Sequence, residues 1–304
     1  MRSPAVLLLV MGLCTVMGVG AAAADSGTAA EPHSAGSSSP PEANDWQCIP
    51  EAGHPEPVVL VHGTWGNRHS WDALAPKLKA AGHCVFALDY GRDTSSLYGS
   101  QPGVYGTGDI RASSGELAEF IERVRAATRS ERVDIVAHSQ GGLVARQYMR
   151  FGGGVDPAAP ERNTVRQLIT VGATNHGTTA SNLGYLLPTG SAAEPSADMV
   201  ARVLGPAAAQ QLVGSEFLNT LNAGGDTEPG VRYTVVASRF DEISTPPEAT
   251  FLQAGPGALV NNIWVQNVCA ADTFDHGRLL RSPTVIQIVQ AALDPTHTAA
   301  RCAG

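Results

Sequence analysis

The feature that most constrains the fold is a serine placed between a strand pattern and a helix pattern. The apolar run Val133–Ala137 is typical of a buried strand, and a helical pattern begins within a few residues of Ser139. Ala137 and Gly141 flank the serine with small side chains, which a close approach of strand and helix requires. Such a pentapeptide also occurs by chance in a chain rich in Gly and Ala. The strand before it and the helix after it favour a nucleophile elbow, a strained turn that exposes the serine hydroxyl.

Apolar runs and helical patterns alternate along most of the chain. The predicted strands are Pro57–His62, Cys84–Leu88, Val133–Ala137, Val165–Val171, Val231–Ala237 and Ile263–Val268. Helical patterns follow the first, third and last of these runs and also precede the third. This alternation predicts an α/β fold with a mostly parallel central sheet and helices on both faces. The segment Leu183–Asn222 is apolar but irregular, and we expect it to form a small lid-like insertion.

The ends of the chain differ in composition from its middle. Residues 1–24 combine Arg2, an apolar stretch and the small residues Ala22–Ala24, which is typical of a cleaved secretory signal. A membrane anchor is the competing interpretation, since about 20 apolar residues can span a bilayer. Residues 25–45 are rich in Ser, Pro, Ala and Gly and predict a flexible linker. The catalytic domain is therefore expected at residues 46–304, in a protein that is secreted and extracellular.

Four cysteines follow the predicted signal, and an exported chain would join them as disulfides. They are Cys48, Cys84, Cys269 and Cys302. Three pairings are possible, and we favour Cys48–Cys84 and Cys269–Cys302. The first pair would tie the N-terminal entry to the second strand, and the second would fix the C-terminal tail to a late loop.

A serine hydroxyl needs a base, and the base needs an acid that orients it. In folds built around a nucleophile elbow these residues occur in the order serine, acid, histidine. Asp241 lies just past the fifth predicted strand, and His276 follows the sixth. Of the nine histidines, His276 alone combines this order with a loop after a strand. We therefore expect Ser139, Asp241 and His276 to be the catalytic residues, although Glu242 adjoins Asp241 and is a competing carboxylate.

The negatively charged intermediate of such a reaction needs hydrogen-bond donors. We expect one donor to be the backbone N–H of Gln140, directly after the serine, and the other to be Thr64, in the loop after the first strand. Asp and His residues show no ligand spacing, so we expect no catalytic metal and no cofactor, and a structural calcium stays open. The formal net charge of −8 without a basic run excludes nucleic acid as an expected partner.

Several stretches together resemble the secreted triacylglycerol lipases of the α/β-hydrolase superfamily, in particular the bacterial class 2 lipases and fungal lipases of the lipase B type. The matching stretches are Val61–Thr64, Ser139–Ala145, Gly214–Gly225, Asp241–Ile243, and Val265–Cys269 ahead of Asp275-His276. The resemblance implies an α/β-hydrolase fold, the same catalytic and oxyanion residues given above, and the same two disulfides. It departs at His62, where the fungal enzyme has proline, and at Thr174–Thr178, which lacks the proline of the bacterial Pro-His-Gly pattern.

These patterns predict a secreted carboxylic-ester hydrolase, most specifically a triacylglycerol lipase. Its substrate would be a lipid or another ester. We expect the protein to be a monomer that meets this substrate at a lipid–water interface. A polyester or cutin-type esterase and an acyltransferase would use the same three residues, so both stay open. A hydrolase-like binding protein without turnover is disfavoured, because every catalytic position carries a competent side chain.

Overall fold

The computed structural model describes residues 39–179, 196–294, 296–297 and 300–302. The predicted signal at residues 1–24 and most of the predicted linker at residues 25–45 lie outside this part of the chain. Within the described residues, no helix combines the length and the apolar character that crossing a membrane would require.

A parallel sheet forms the centre of the molecule. In the described ranges its strands are β1 (Val58–Val61), β2 (Val85–Ala87), β3 (Val133–His138), β4 (Val165–Val171), β5 (Arg232–Ala237) and β6 (Leu259–Trp264). Their order is β2-β1-β3-β4-β5-β6, and each neighbouring pair is parallel. Because the carboxyl ends of parallel strands meet at one edge, the loops that follow β1, β3, β5 and β6 are brought together there. The predicted parallel sheet is confirmed.

Helices cover both faces of the sheet. They are α1 (Ala75–Ala80), α2 (Ile110–Thr128), α3 (Gln140–Phe151), α4 (Ala197–Leu204), α5 (Pro206–Gln210), α6 (Glu216–Asn222), α7 (Val265–Val268) and α8 (Pro283–Leu293). Val59 and Val61 of β1 belong to the core that contains α2 and α3, whereas Val58 and Leu60 belong to the core that contains α1 and α8. This alternation follows from the two-residue period of a strand, and it explains why β1 is apolar throughout.

The last strand was predicted at the wrong residues. The sequence indicated a strand at Ile263–Val268, but β6 is Leu259–Trp264 and Val265–Val268 is the short helix α7. Within the part of the chain that the structure describes, β6 is an edge strand of the sheet and pairs only with β5. An edge strand is partly exposed to solvent, and 68% of the surface of Leu259 is accessible. Polar residues such as Asn261 and Asn262 are therefore tolerated in this strand. The apolar run that marked the prediction therefore continued past the end of the strand.

Both predicted disulfides are confirmed. Cys48 is bonded to Cys84, beside the start of β2, and Cys269 is bonded to Cys302. Asn44, which lies within the predicted linker, already packs against β2. Its side-chain oxygen accepts from the backbone N–H of Ala87 at 2.8 Å, and its side-chain nitrogen donates to the oxygen of the same residue at 2.9 Å.

The predicted insertion Leu183–Asn222 is only partly within the described residues, since 183–195 fall outside them. Its remainder forms α4, α5 and α6, and the first two of these helices lie close to the loop after β1. The indole N–H of Trp65 donates to the backbone oxygen of Leu204 at 2.8 Å, and a small apolar cluster joins Trp65 to Val200 and Ala208. Helices α4 and α5 therefore border the carboxyl edge of the sheet.

Candidate active site

Ser139 occupies the sharp turn between β3 and α3. Its φ and ψ are 53° and −128°, a backbone conformation that is strained for a residue with a side chain. The turn is fixed on both sides, because Ser139 donates its backbone N–H to Val171 at 3.0 Å and accepts from the N–H of Gly142 at 3.0 Å. A Cβ at Gly141 would lie 2.4 Å from the backbone oxygen of Val61, so only glycine fits there. The local geometry is that of a nucleophile elbow.

The structure brings Ser139, His276 and Asp241 together. The Nε2 atom of His276 lies 3.0 Å from the hydroxyl oxygen of Ser139. On the other side of the ring, Nδ1 lies 2.8 and 2.9 Å from the two carboxylate oxygens of Asp241. All three residues are buried. The loops after β3, β5 and β6 thus place a hydroxyl, an imidazole and a carboxylate in one hydrogen-bonded chain.

The carboxylate of Asp241 is itself held in place. Its Oδ1 atom accepts from the backbone N–H groups of Ile243 at 2.9 Å and Ser244 at 2.8 Å. The hydroxyl of Ser244 donates to the backbone oxygen of Gly172 at 2.7 Å, which joins this turn to the end of β4. Gly172 has a φ of +57°, and a Cβ there would lie 2.9 Å from Asp241 Oδ2. Glycine at this position leaves room for the acid.

Glu242, the competing carboxylate, does not face the ring of His276. Its Oε2 atom instead accepts from the backbone N–H of His276 at 3.1 Å. Asp241 is therefore the carboxylate that bonds to the ring of His276, whereas Glu242 bonds to the backbone of the same residue.

His138 lies against His276 and forms a hydrogen bond with it that was not predicted from the sequence. The two rings are 4.8 Å apart, and Nε2 of His138 lies 3.1 Å from the backbone oxygen of His276. A backbone oxygen only accepts, so Nε2 must carry the proton and donate. Burial lowers the pKa of His138 to about 3, which keeps the ring neutral. Its position directly before the serine was the available signal, but the sequence did not indicate what its ring would contact.

His62 holds the loop after β1. Its Nδ1 atom donates to the backbone oxygen of Gly63 at 2.8 Å, and its ring stacks on Tyr90 with 4.3 Å between centroids. The hydroxyl of Tyr90 donates to the backbone oxygen of His62 at 2.6 Å. Burial lowers the pKa of His62 to about 4, so this ring is also neutral at physiological pH.

The two predicted oxyanion residues lie at the same site. Gln140 is the first residue of α3, where backbone N–H groups have no partner within the helix. Thr64 lies in the loop after β1 and lines, together with Ser139 and His276, a pocket of about 370 Å³. Among the described residues, no group of three or more His, Cys, Asp or Glu side chains is arranged to hold a metal ion.

Comparison with solved structures defines the class of fold. The structure is similar to Aspergillus fumigatus lipase B, with a TM-score of 0.63 and 22% sequence identity over 86% of this chain and 56% of that chain. The molecule therefore has an α/β-hydrolase fold, as the sequence predicted.

Comparison of sequences identifies the family. The family described as Lipase (class 2) matches residues 55–288, so the chain belongs to the class 2 lipase family. The chain is also 27% identical to a triacylglycerol lipase of Pseudomonas fragi over 40% of its own length and 35% of the relative. It is 33% identical to methylesterase 10 of Arabidopsis thaliana over 28% of each chain. The chain thus spans about a third or less of these two curated relatives.

Proposed function

We propose that this protein hydrolyses carboxylic esters through an acyl-enzyme formed on Ser139. The observation that carries the proposal is the hydrogen-bonded chain from Ser139 through His276 to Asp241 at the carboxyl edge of the sheet. Membership of the class 2 lipase family supports the same reaction.

The proposed reaction has two halves. The hydroxyl oxygen of Ser139 attacks the ester carbonyl while Nε2 of His276 takes its proton. Asp241 accepts the Nδ1–H, which keeps Nε2 free as a base and stabilises the imidazolium that forms. The imidazolium returns the proton to the departing alcohol. A water then attacks the acyl-enzyme while His276 takes its proton, and the acyl–oxygen bond breaks as His276 passes that proton to the oxygen of Ser139, which releases the carboxylic acid.

The tetrahedral intermediates place a negative charge on the former carbonyl oxygen. We assign two residues as hydrogen-bond donors to this oxygen. Gln140 donates through its backbone N–H, and Thr64 donates through its backbone N–H and its hydroxyl. One such donor is typically worth about 100- to 1,000-fold in kcat. The neutral rings of His138 and His62 hold the surrounding loops without adding a second positive charge near His276.

We infer that the substrate is a triacylglycerol and that the protein acts outside the cell. The family and the Pseudomonas fragi relative support the first inference. Side chains of Trp65, Ala208 and Ile243 give the pocket an apolar part that suits an acyl chain. The two disulfides and the apolar N-terminal sequence support export.

Activity on nitrophenyl esters tests the reaction. Ser139→Ala should lower kcat by about four to six orders of magnitude, the loss seen when such a unit loses its nucleophile. Ser130→Ala is the matched control, because that partly exposed serine donates its hydroxyl to the backbone oxygen of Pro55, before β1 and away from the site. Near wild-type turnover by Ser139→Ala would contradict the proposal. Tributyrin, a polyester film and an alcohol acceptor, offered to the wild type in parallel, decide between lipase, polymer esterase and acyltransferase.

A further inference from the structure

We propose that Gln211 is a positioning residue that aims the hydroxyl proton of Thr64 at the oxyanion. The inference rests on the proposed function and extends it to a residue that no sequence motif marked. Gln211 follows α5, and it contacts neither Ser139, His276 nor Asp241 through any hydrogen bond in the described part of the chain.

The main chain holds Gln211 beside the pocket. Its backbone N–H donates to Ala207 at 3.2 Å, and its backbone oxygen accepts from the N–H of Thr178 at 2.9 Å. Only 4% of the residue is exposed, although it lines the same pocket as Ser139. A buried amide side chain in this position must satisfy both its donor and its acceptor groups.

Two contacts fix which way the side-chain amide points. The Nε2 atom lies 3.1 Å from the backbone oxygen of Ala207, which can only accept, so this atom must be the NH2 group. The Oε1 atom lies 2.9 Å from the hydroxyl of Thr174, which donates to it. If the amide were turned by 180°, its oxygen would face the backbone oxygen of Ala207, and two acceptors would be in contact.

The orientation of the amide determines the role of the Thr64 hydroxyl. Nε2 of Gln211 lies 2.9 Å from Thr64 Oγ1 and has a second N–H, so the hydroxyl oxygen accepts. A hydroxyl that accepts from an amide keeps its own proton for another acceptor, and donation to its oxygen polarises that proton further. Thr64 and Ser139 line one pocket, so the acceptor we assign is the oxygen that becomes negative during catalysis.

A double-mutant cycle on a soluble nitrophenyl ester tests the inference. Thr64→Val removes the hydroxyl and should lower kcat by about 10- to 100-fold with KM nearly unchanged. Gln211→Met should lower kcat by about fivefold to tenfold in the wild-type background but by less than about twofold in the Thr64→Val background. Thr64→Ser keeps the hydroxyl, so kcat should fall less in this variant than in Thr64→Val. Equal losses from Gln211→Met in both backgrounds would overturn the proposal.

Gln210→Met is the matched control for the substitution. Gln210 lies next to Gln211 in the chain, but its amide bonds to Asp109 and Ile110 at the start of α2. The control should keep kcat and KM, so a loss of kcat from it would indicate that any disturbance of this helix end affects turnover, which would overturn the specific role of Gln211.

A boronic acid inhibitor gives a readout that a structural role would not move. Boron forms a tetrahedral adduct with the serine, so an adduct oxygen takes the place of the oxyanion. The inhibition constant should rise in Gln211→Met by the same factor as kcat falls, while KM for the ester stays nearly constant. An unchanged inhibition constant would contradict the proposal.

Gln211→Glu is a second variant that tests the same role if Gln211→Met does not fold. The carboxylate keeps the shape of glutamine but accepts the Thr64 proton, so kcat should fall further in the wild-type background than in the Thr64→Val background. An equal fall in the two would reflect charge alone and would overturn the inference. Failure of the proposed function appears differently, as turnover that survives Ser139→Ala.

Discussion

The Nε2 atom of His138 lies 3.1 Å from the backbone oxygen of His276, so the residue before the serine supports the loop of the histidine. His138→Leu removes this donor and should lower kcat/KM by about tenfold, since a buried oxygen loses its partner and the imidazole loses a packing surface. The pKa of His138 is lowered to about 3, so the residue does not titrate near neutral pH. The ratio of variant to wild-type kcat/KM should therefore stay flat between about pH 5 and 9. A ratio that bends within this range would contradict a purely positional role.

Buried neutral histidines make stability depend on pH. His62 has its pKa lowered by burial from 6.5 to about 4, so below pH 6.5 the unfolded chain binds a proton that the folded protein excludes. Its contribution is fully present above pH 6.5 and is lost as the pH falls toward 4. His62→Gln should make the fall of the unfolding free energy shallower by up to about 1.4 kcal/mol per pH unit in that window. Urea unfolding curves measure this slope. An unchanged slope in His62→Gln would contradict this contribution of His62.

Alanine substitutions at two glycines should affect different properties, turnover at Gly63 and stability at Gly115. A Cβ at Gly63 would lie 2.8 Å from Ser139 Cβ and 3.0 Å from His138 Nδ1, so Gly63→Ala should displace the loop after β1, which carries Thr64, and lower kcat by about 100-fold. Gly115 lies inside α2 with open space around it, so Gly115→Ala should raise the unfolding free energy by about 0.5–1 kcal/mol and leave turnover unchanged. Assays and thermal unfolding of both variants check this. A fully active Gly63→Ala would show that the loop is not confined by the serine.

The disulfide between Cys48 and Cys84 closes a loop with a sequence separation of 36. Replacing both cysteines by alanine should lower the unfolding free energy by about 2–4 kcal/mol, since the unfolded chain gains the freedom that the bond removes. Denaturant unfolding measures the loss, and kcat should change little because neither cysteine lines the pocket. Unfolding at an unchanged denaturant concentration would show that the bond adds no stability.

The fold was predictable because its strong signals are local. Buried strands such as β1 and β3 are continuous apolar runs, and the small residue Gly141 marks the place where α3 approaches Val61. The edge strand β6 was placed about four residues too late, because exposure allows Asn261 and Asn262 where a central strand would be apolar. Chain order and post-strand position pointed to His276 and Asp241, and the structure brings these two side chains together beside Ser139.

The residues that surround the three central side chains were not predictable in the same way. Gln211 lies in an irregular segment, and its contact with Thr64 joins residues 147 positions apart. The bond from His138 to the backbone of His276 spans 138 positions. No periodicity or spacing encodes such contacts, because they depend on how loops from different strands meet at the edge of the sheet.

The most direct test of the account is covalent labelling by a fluorophosphonate, followed by mass mapping of the modified peptide. An activated serine reacts with this reagent, so we expect one adduct, at Ser139, and a much slower reaction in His276→Ala and Asp241→Asn, which lose the base or its orienting acid. An adduct at another serine, or a wild-type protein that does not react, would contradict the central claim that Ser139 is the nucleophile.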